Sequence, residues 1–151
     1  MITVLVRDAV HDDIPAIADI LMRSSRRAYT FMTWDHNDED FTEFVRASFD
    51  DWDAVRIAQA RCRAIGFHCL TGDVVDQLFV VPDAQRHGVG SRLLRDVRAL
   101  RSTGFTLRTF RANRRARAFY EACGLVAIDF GHSEEENEPD VTYRWRPSSL
   151  T

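Results

Sequence analysis

Only three cysteines, Cys62, Cys69 and Cys123, occur in the 151 residues, an odd number with no Cys-x-x-Cys pair. That excludes a disulfide framework and a zinc ribbon, and the three read as small buried side chains. No apolar run approaches the ~20 residues of a membrane span, and Met1 to Val6 lacks the basic and apolar regions of a secretory signal. The expected address is the cytoplasm. Strong positive charge is also lacking. A net charge of −3 gives none of the basic footprint that duplex binding leaves, so neither nucleic acid nor membrane is an expected partner. His36 stands among Asp35, Asp38 and Asp40 with no second histidine at ligand spacing, so no metal site is assigned and a solvated acidic loop is the reading.

There is no linker-like stretch and no internal repeat, and apolar residues make up 45%, so one domain with one core is expected. Val4 to Val6 with Val10 read as an opening strand. Asp12 or Asp13 then offers a helix cap, and Ile14, Ile17 and Leu21 recur at helical steps. A second helix is read from about Glu39 to Phe49. Val55 to Ala58, Ala64 to Leu70 and Val74 to Val81 are strands of an antiparallel meander, the last two joined at Thr71-Gly72-Asp73. Leu93, Leu94, Val97 and Leu100 mark a helix, Phe105 to Phe110 a strand, and Asn113 caps a helix to about Ala122. Leu125 to Phe130 and Val141 to Trp145 close the chain as strands, with a polar, biased segment from Ser133 to Asp140 between them. The expected architecture is a mixed α/β sheet with helices on both faces.

The most informative stretch runs from strand through loop to helix: Leu78-Phe79-Val80-Val81-Pro82-Asp83-Ala84-Gln85-Arg86-His87-Gly88-Val89-Gly90-Ser91. Gly88 and Gly90 lack Cβ atoms, so backbone N–H groups there can approach an anion, and the new helix turns its positive end to the same place. That makes a diphosphate cradle. A Walker A loop is excluded because Ser91 and Arg92 follow the second glycine where lysine is required. A dinucleotide fingerprint fits poorly, since Leu93 replaces its third glycine and the next strand ends in Arg108 to Phe110 instead of an acidic residue. Coenzyme A, which carries a pyrophosphate, is left.

The segment Gln85-Arg86-His87-Gly88-Val89-Gly90 resembles the signature loop Gln/Arg-x-x-Gly-x-Gly/Ala of the GNAT superfamily of acyl-CoA-dependent N-acyltransferases. Downstream, Asn113-Arg114-Arg115-Ala116-Arg117-Ala118-Phe119-Tyr120-Glu121-Ala122-Cys123-Gly124-Leu125 is similar to the family's Asn-x-x-Ala-x-x-Phe-Tyr-Glu-x-x-Gly-Phe, departing only at Leu125. The resemblance implies a GNAT fold, with a mostly antiparallel sheet of six to seven strands and about four helices, possible homodimerisation, and acetyl transfer from acetyl-CoA to an amine. It also implies donor contacts along Leu78, Phe79 and Val80, through the loop residues Gln85 to Ser91, and at Asn113 beside the small Ala116. Tyr120, two helical turns from Asn113, is implied to lie beside the thioester sulfur and to protonate the leaving thiolate; Phe119 is assigned to the core.

An aliphatic ammonium with a pKa near ~10.4 must lose a proton before it attacks a thioester, so a base or a water chain is required. The glutamate that some family members use for this corresponds to Arg108. Asp76, on the donor-binding strand, is the candidate instead, against the plain reading of a solvent-facing strand residue. Arg108, Arg111, Arg114, Arg115 and Arg117 read as a solvated face, or one of them instead meets a coenzyme A phosphate. Two acidic segments, Asp35 to Asp40 and Glu134 to Asp140, are candidates for selecting a cationic acceptor, or are simply solvated loops. Tyr29, Trp34 and Tyr143 are candidates for an aromatic wall, or are simply packing residues. A coenzyme A-binding sensor without turnover is the competing class.

Overall fold

A computed structural model describes residues 3–28 and 38–148. Seven strands form one sheet in the order β1-β2-β3-β4-β5-β7-β6: β1 Leu5–Asp8, β2 Ala54–Ala60, β3 Arg63–Thr71, β4 Val74–Val80, β5 Phe105–Phe110, β6 Val126–Ser133 and β7 Glu138–Trp145. All neighbours are antiparallel except β4 and β5, whose parallel pairing is confined to Val74 with Thr106 and Val75 with Leu107. Among the described residues four α-helices accompany the sheet: α1 Ile14–Ala28, α2 Asp38–Phe49, α3 Val89–Leu100 and α4 Arg114–Ala122. The expected mixed sheet and helix order are both observed.

Strand parity assigns the helices to faces. Phe67 and Cys69 of β3 join a buried cluster with Ile17, Ile20 and Leu21 of α1 and with Phe41 and Val45 of α2. On the opposite parity, Leu70, Val75, Leu107 and Tyr143 pack with Leu94 and Val97 of α3 and Tyr120 of α4. The helical spacing of Ile14, Ile17 and Leu21 thus marks the buried face, which continues to Ser24 and Ser25.

Three local expectations are corrected. The first strand stops at Asp8, and Val10 instead precedes a 3-10 turn at His11–Asp13 that leads into α1. Asp13 accepts the Val10 N–H at 2.8 Å, but it is also gripped by both terminal nitrogens of Arg7 at 2.9 Å, a strand partner that helix-start patterns do not include. The polar segment after Phe130 is largely a hairpin, because β6 runs to Ser133 and β7 begins at Glu138, with Asn137 at φ 56° in the turn.

Helix α3 is tied to the sheet by a polar cluster that periodicity does not reveal. Asp96 accepts from Arg56 of β2 through two nitrogens, at 3.0 and 3.1 Å, and stands 2.8 Å from Nε2 of the fully buried His68 of β3. Burial opposes charge on Asp96, but the hydrogen bonds from His68 and Arg56 outweigh it and hold the carboxyl at about 2. Because this lies below the ordinary 3.8, the stabilisation is complete above that pH and is lost as pH falls toward 2. Asp96→Asn should cost about 3 kcal/mol in urea unfolding near neutral pH, the scale of a broken buried pair. It should also flatten the acid limb of the stability profile. Asp8→Asn, which removes the 83% exposed second partner of Arg56, should leave the midpoint nearly unchanged.

Candidate active site

The short parallel pairing creates the site. Beyond Val75 and Leu107 the two strands part, while the other edge of β4 stays paired with β3 as far as Val80 opposite Gly66. From Asp76 onward β4 therefore offers backbone groups on the side facing β5 that no strand of this sheet uses. The gap opens into a cleft of about 770 Å³ lined by residues of β4, β5, the β4–α3 loop and α4, joined by Ser24 and Arg27 from the end of α1. The volume suits an extended small molecule.

The loop is shaped by left-handed backbone. Arg86 has φ 67° and Gly88 φ 80°, and Gly88 is the residue from which α3 starts. A Cβ on Gly88 would meet nothing within 4 Å, so glycine serves the backbone conformation there. Gly90 has a different reason. Its Cβ would come 3.0 Å from Cζ of Phe119, so the missing side chain lets α4 seat its aromatic ring against the first turn of α3. The sequence reading gave Gly90 to anion approach; the structure gives its side-chain space to helix packing. Val80 is held at the cleft edge by hydrogen bonds to its carbonyl from Ser24 Oγ at 2.9 Å and Gln85 Nε2 at 3.0 Å.

Helix α4 carries the second half. Asn113 Oδ1 caps it by accepting the Ala116 N–H at 3.1 Å, which leaves the side-chain amide nitrogen to donate elsewhere. Tyr120 is 8% exposed, lines the cleft, and lies between the rings of Phe119 and Tyr143 at centroid distances of 5.4 and 5.8 Å. Leu78, Phe79, Val80, Gln85, Arg86, Gly88, Gly90, Ser91, Asn113, Ala116, Tyr120 and Asp76 are all brought to this cleft. His87 and Val89 are not among its lining residues. His87 is exposed and Val89 is buried in the core, which leaves Val89 only its backbone N–H to offer.

The electrostatics favour an anion. Arg27, Arg86, Arg108, Arg114 and Arg115 line the cleft, against Asp76 as the single carboxylate among the described lining residues. Arg27, Ser24 and Thr109 carry no sequence signal; only the fold brings them here. The other arginines of the cluster behave differently: Arg111 and Arg117 lie over the ring of Phe130 at 5.3 and 5.8 Å, and Arg117 also donates to the Tyr143 hydroxyl at 3.1 Å. Tyr143 is fully buried under α4 with its hydroxyl bonded to Glu121, so it forms no wall of the cleft. Tyr29 and Trp34 lie outside the described residues, as do Asp35 and His36. Asp38 pairs with Arg26 at 3.3 Å, and no residue of Glu134 to Asp140 lines the cleft.

An arginine-rich cleft, an open strand edge and a helix N-terminus on one line fit a long anionic molecule with an amide-bearing arm. The model for the acetyltransferase (GNAT) domain matches residues 50–125, half of the chain. The chain belongs to the GNAT acetyltransferase family. It is similar to the peptidyl-lysine N-acetyltransferase YiaC of Escherichia coli K12, with 25% identity over 146 residues, covering 93% of this chain and 96% of that protein. Among solved structures, apo YjaB from Escherichia coli superposes with a TM-score of 0.81 at 20% identity, covering 97% of this chain and 99% of that one. The PaiA N-acetyltransferase of Thermoplasma acidophilum, solved with coenzyme A, gives 0.76 at 15% identity over 96% and 99%. As a GNAT enzyme the chain is an acyl-CoA-dependent N-acyltransferase with acetyl-CoA or coenzyme A as co-substrate.

If the Gly90–Phe119 contact sets the spacing of α3 and α4, Gly90→Val should destabilise the fold by about 1–3 kcal/mol, as overpacking does, and weaken acetyl-CoA binding. Combining it with Phe119→Leu should recover part of both losses. Strict additivity of the two substitutions in thermal unfolding would show that the contact does not couple the helices.

Proposed function

We propose that this enzyme transfers acetyl directly from acetyl-CoA to a primary amine, with Tyr120 as proton donor to the departing sulfur and Asp76 as proton acceptor for the amine. The supporting observation is that Tyr120 and Asn113, two turns apart on α4, line the same cleft as the open edge of β4 and the start of α3. In this reading the amides from Gly88 to Ser91, with Arg86 and the arginines at the start of α4, hold the donor's phosphates. The unpaired β4 edge around Leu78 to Val80 receives the amide-bearing arm, and a backbone N–H of that edge faces the oxygen on which charge develops.

The protons balance as follows. An N–C bond forms and a C–S bond breaks, and the nitrogen gives up two protons. One leaves through Asp76 to solvent; the other restores what Tyr120 gives to the sulfur. A phenol near ~10 is a competent donor to a thiolate whose conjugate acid lies near ~8.5. Asp76 is exposed and accepts a hydrogen bond from the Thr71 hydroxyl, which fixes one carboxylate oxygen and leaves the other for a water or an ammonium.

The likeness to a peptidyl-lysine acetyltransferase supports a primary amine as acceptor. All 20 basic residues of this chain are arginine, so lysine acetylation can be followed without acetylated lysine arising on the enzyme itself. Tyr120→Phe should lower turnover about hundredfold, the scale of a lost general acid, while acetyl-CoA affinity by calorimetry stays close to wild type. Unchanged turnover with chemistry rate-limiting would remove Tyr120 from the role. Asp76→Asn should lower kcat/KM near neutral pH, with the deficit shrinking as pH rises toward the amine's own pKa. A pH-independent deficit in the pH–rate profile would mean that Asp76 is not the proton acceptor.

A further inference from the structure

The strand splay is flanked by two opposite charges that do not neutralise each other. Asp76 follows Val75 on β4 and Arg108 follows Leu107 on β5, each one residue beyond the last parallel pair. Leu107 and Thr109 are buried, so alternation turns Arg108 to the other face, where it is exposed; both Arg108 and Asp76 line the cleft. Asp76 is engaged by Thr71, and Arg108 has no hydrogen-bond or ion-pair partner among the described residues. An arginine in a cleft without a carboxylate keeps its whole fork of donors for a ligand.

Arg108 is poorly sited for the donor's diphosphate. That cradle lies past the end of β4, and from the level of Asp76 to Val80 the strand covers roughly 13 Å at about 3.3 Å per residue. Arg86 on the loop, Arg114 and Arg115 in the first turn of α4, and Arg27 one turn beyond Ser24, which bonds Val80, are the arginines of the donor half. Arg108 belongs to the half where the amine must enter.

We propose that Arg108 binds a carboxylate on the acceptor, so that the preferred acceptors are primary amines carrying a carboxylate near the nitrogen. The inference rests on the transfer reading above. Asp76 then faces the ammonium across the splay and Arg108 the carboxylate, which makes the pair complementary to a zwitterion and poorly matched to a dication. Two sources supply that chemistry: a free amino acid, or a lysine beside an acidic side chain in a peptide.

The test compares matched acceptors by release of free thiol from acetyl-CoA: lysine against cadaverine, tyrosine against tyramine, and capped peptides in which lysine is followed by aspartate or by asparagine. The carboxylated member of at least one pair should react with a kcat/KM about tenfold higher or more, the scale of a charged hydrogen bond. Which pair discriminates identifies the source. Arg108→Gln should collapse the ratio toward one through a raised KM, and Arg108→Glu should invert it. Equal rates within every pair, or an unchanged ratio in Arg108→Gln, would overturn the assignment while leaving amine acetylation standing. A loss of acetyl-CoA affinity in Arg108→Gln as large as the loss of kcat/KM would make it a donor residue instead. Thiol release with none of the amines by folded wild-type protein would remove the transfer reading and this inference with it.

Discussion

Two parallel strands that pair at only two positions govern the structure. If β4 and β5 stayed hydrogen-bonded along their length, the edge of β4 would be consumed, and Asp76, Leu78 and Val80 would face a strand where they now face a cleft. Parallel strands require a crossover, and the crossover here is α3, so the same connection that forces the pair to be parallel also delivers a helix N-terminus to the open end of the gap. The splay and the helix N-terminus at its open end are consequences of one piece of topology.

Such a gap needs walls that do not drift. On one side α3 is fixed at its middle by Asp96, held by Arg56 and His68, and at its first turn by the ring of Phe119 lying where Gly90 has no side chain. On the other side α4 is anchored through Tyr120 and Tyr143, with the Tyr143 hydroxyl bridging Arg117 and Glu121. Val80, at the far lip, is held through its carbonyl by Ser24 and Gln85. Leu78, Val80 and Tyr120 thus face the cleft from elements held by packing and hydrogen bonds, the arrangement that lets binding energy be used for orientation.

The parts of this arrangement that are legible in the sequence are those governed by local backbone chemistry. A glycine at the start of α3, the Asn113 cap three residues before Ala116, and the Thr71-Gly72-Asp73 turn each state their conformation within a few residues. What is not legible depends on distant partners. The grip on Asp13 comes from Arg7 on a strand, the ring that fills the side-chain space of Gly90 is 29 residues away, and the face of Tyr143 is decided by pairing with β5. The Ser133 to Asp140 segment lacks hydrophobic alternation because its middle is the turn between the two strands, with only Ser133 in β6 and Glu138 to Asp140 in β7. Asp96 with Arg56 and His68, 40 and 28 residues apart in sequence, left no local trace at all.

The central claim is that the first turn of α3 and the open edge of β4 together set the donor so that its sulfur meets the Tyr120 phenol. A crystal structure with coenzyme A bound tests this most directly. The account predicts the diphosphate on the amides from Gly88 to Ser91, the pantetheine arm along Leu78 to Val80, and the sulfur within hydrogen-bonding reach of the Tyr120 hydroxyl. A diphosphate bound away from that turn, or a sulfur more than one water removed from Tyr120 in a well-ordered complex, would contradict it.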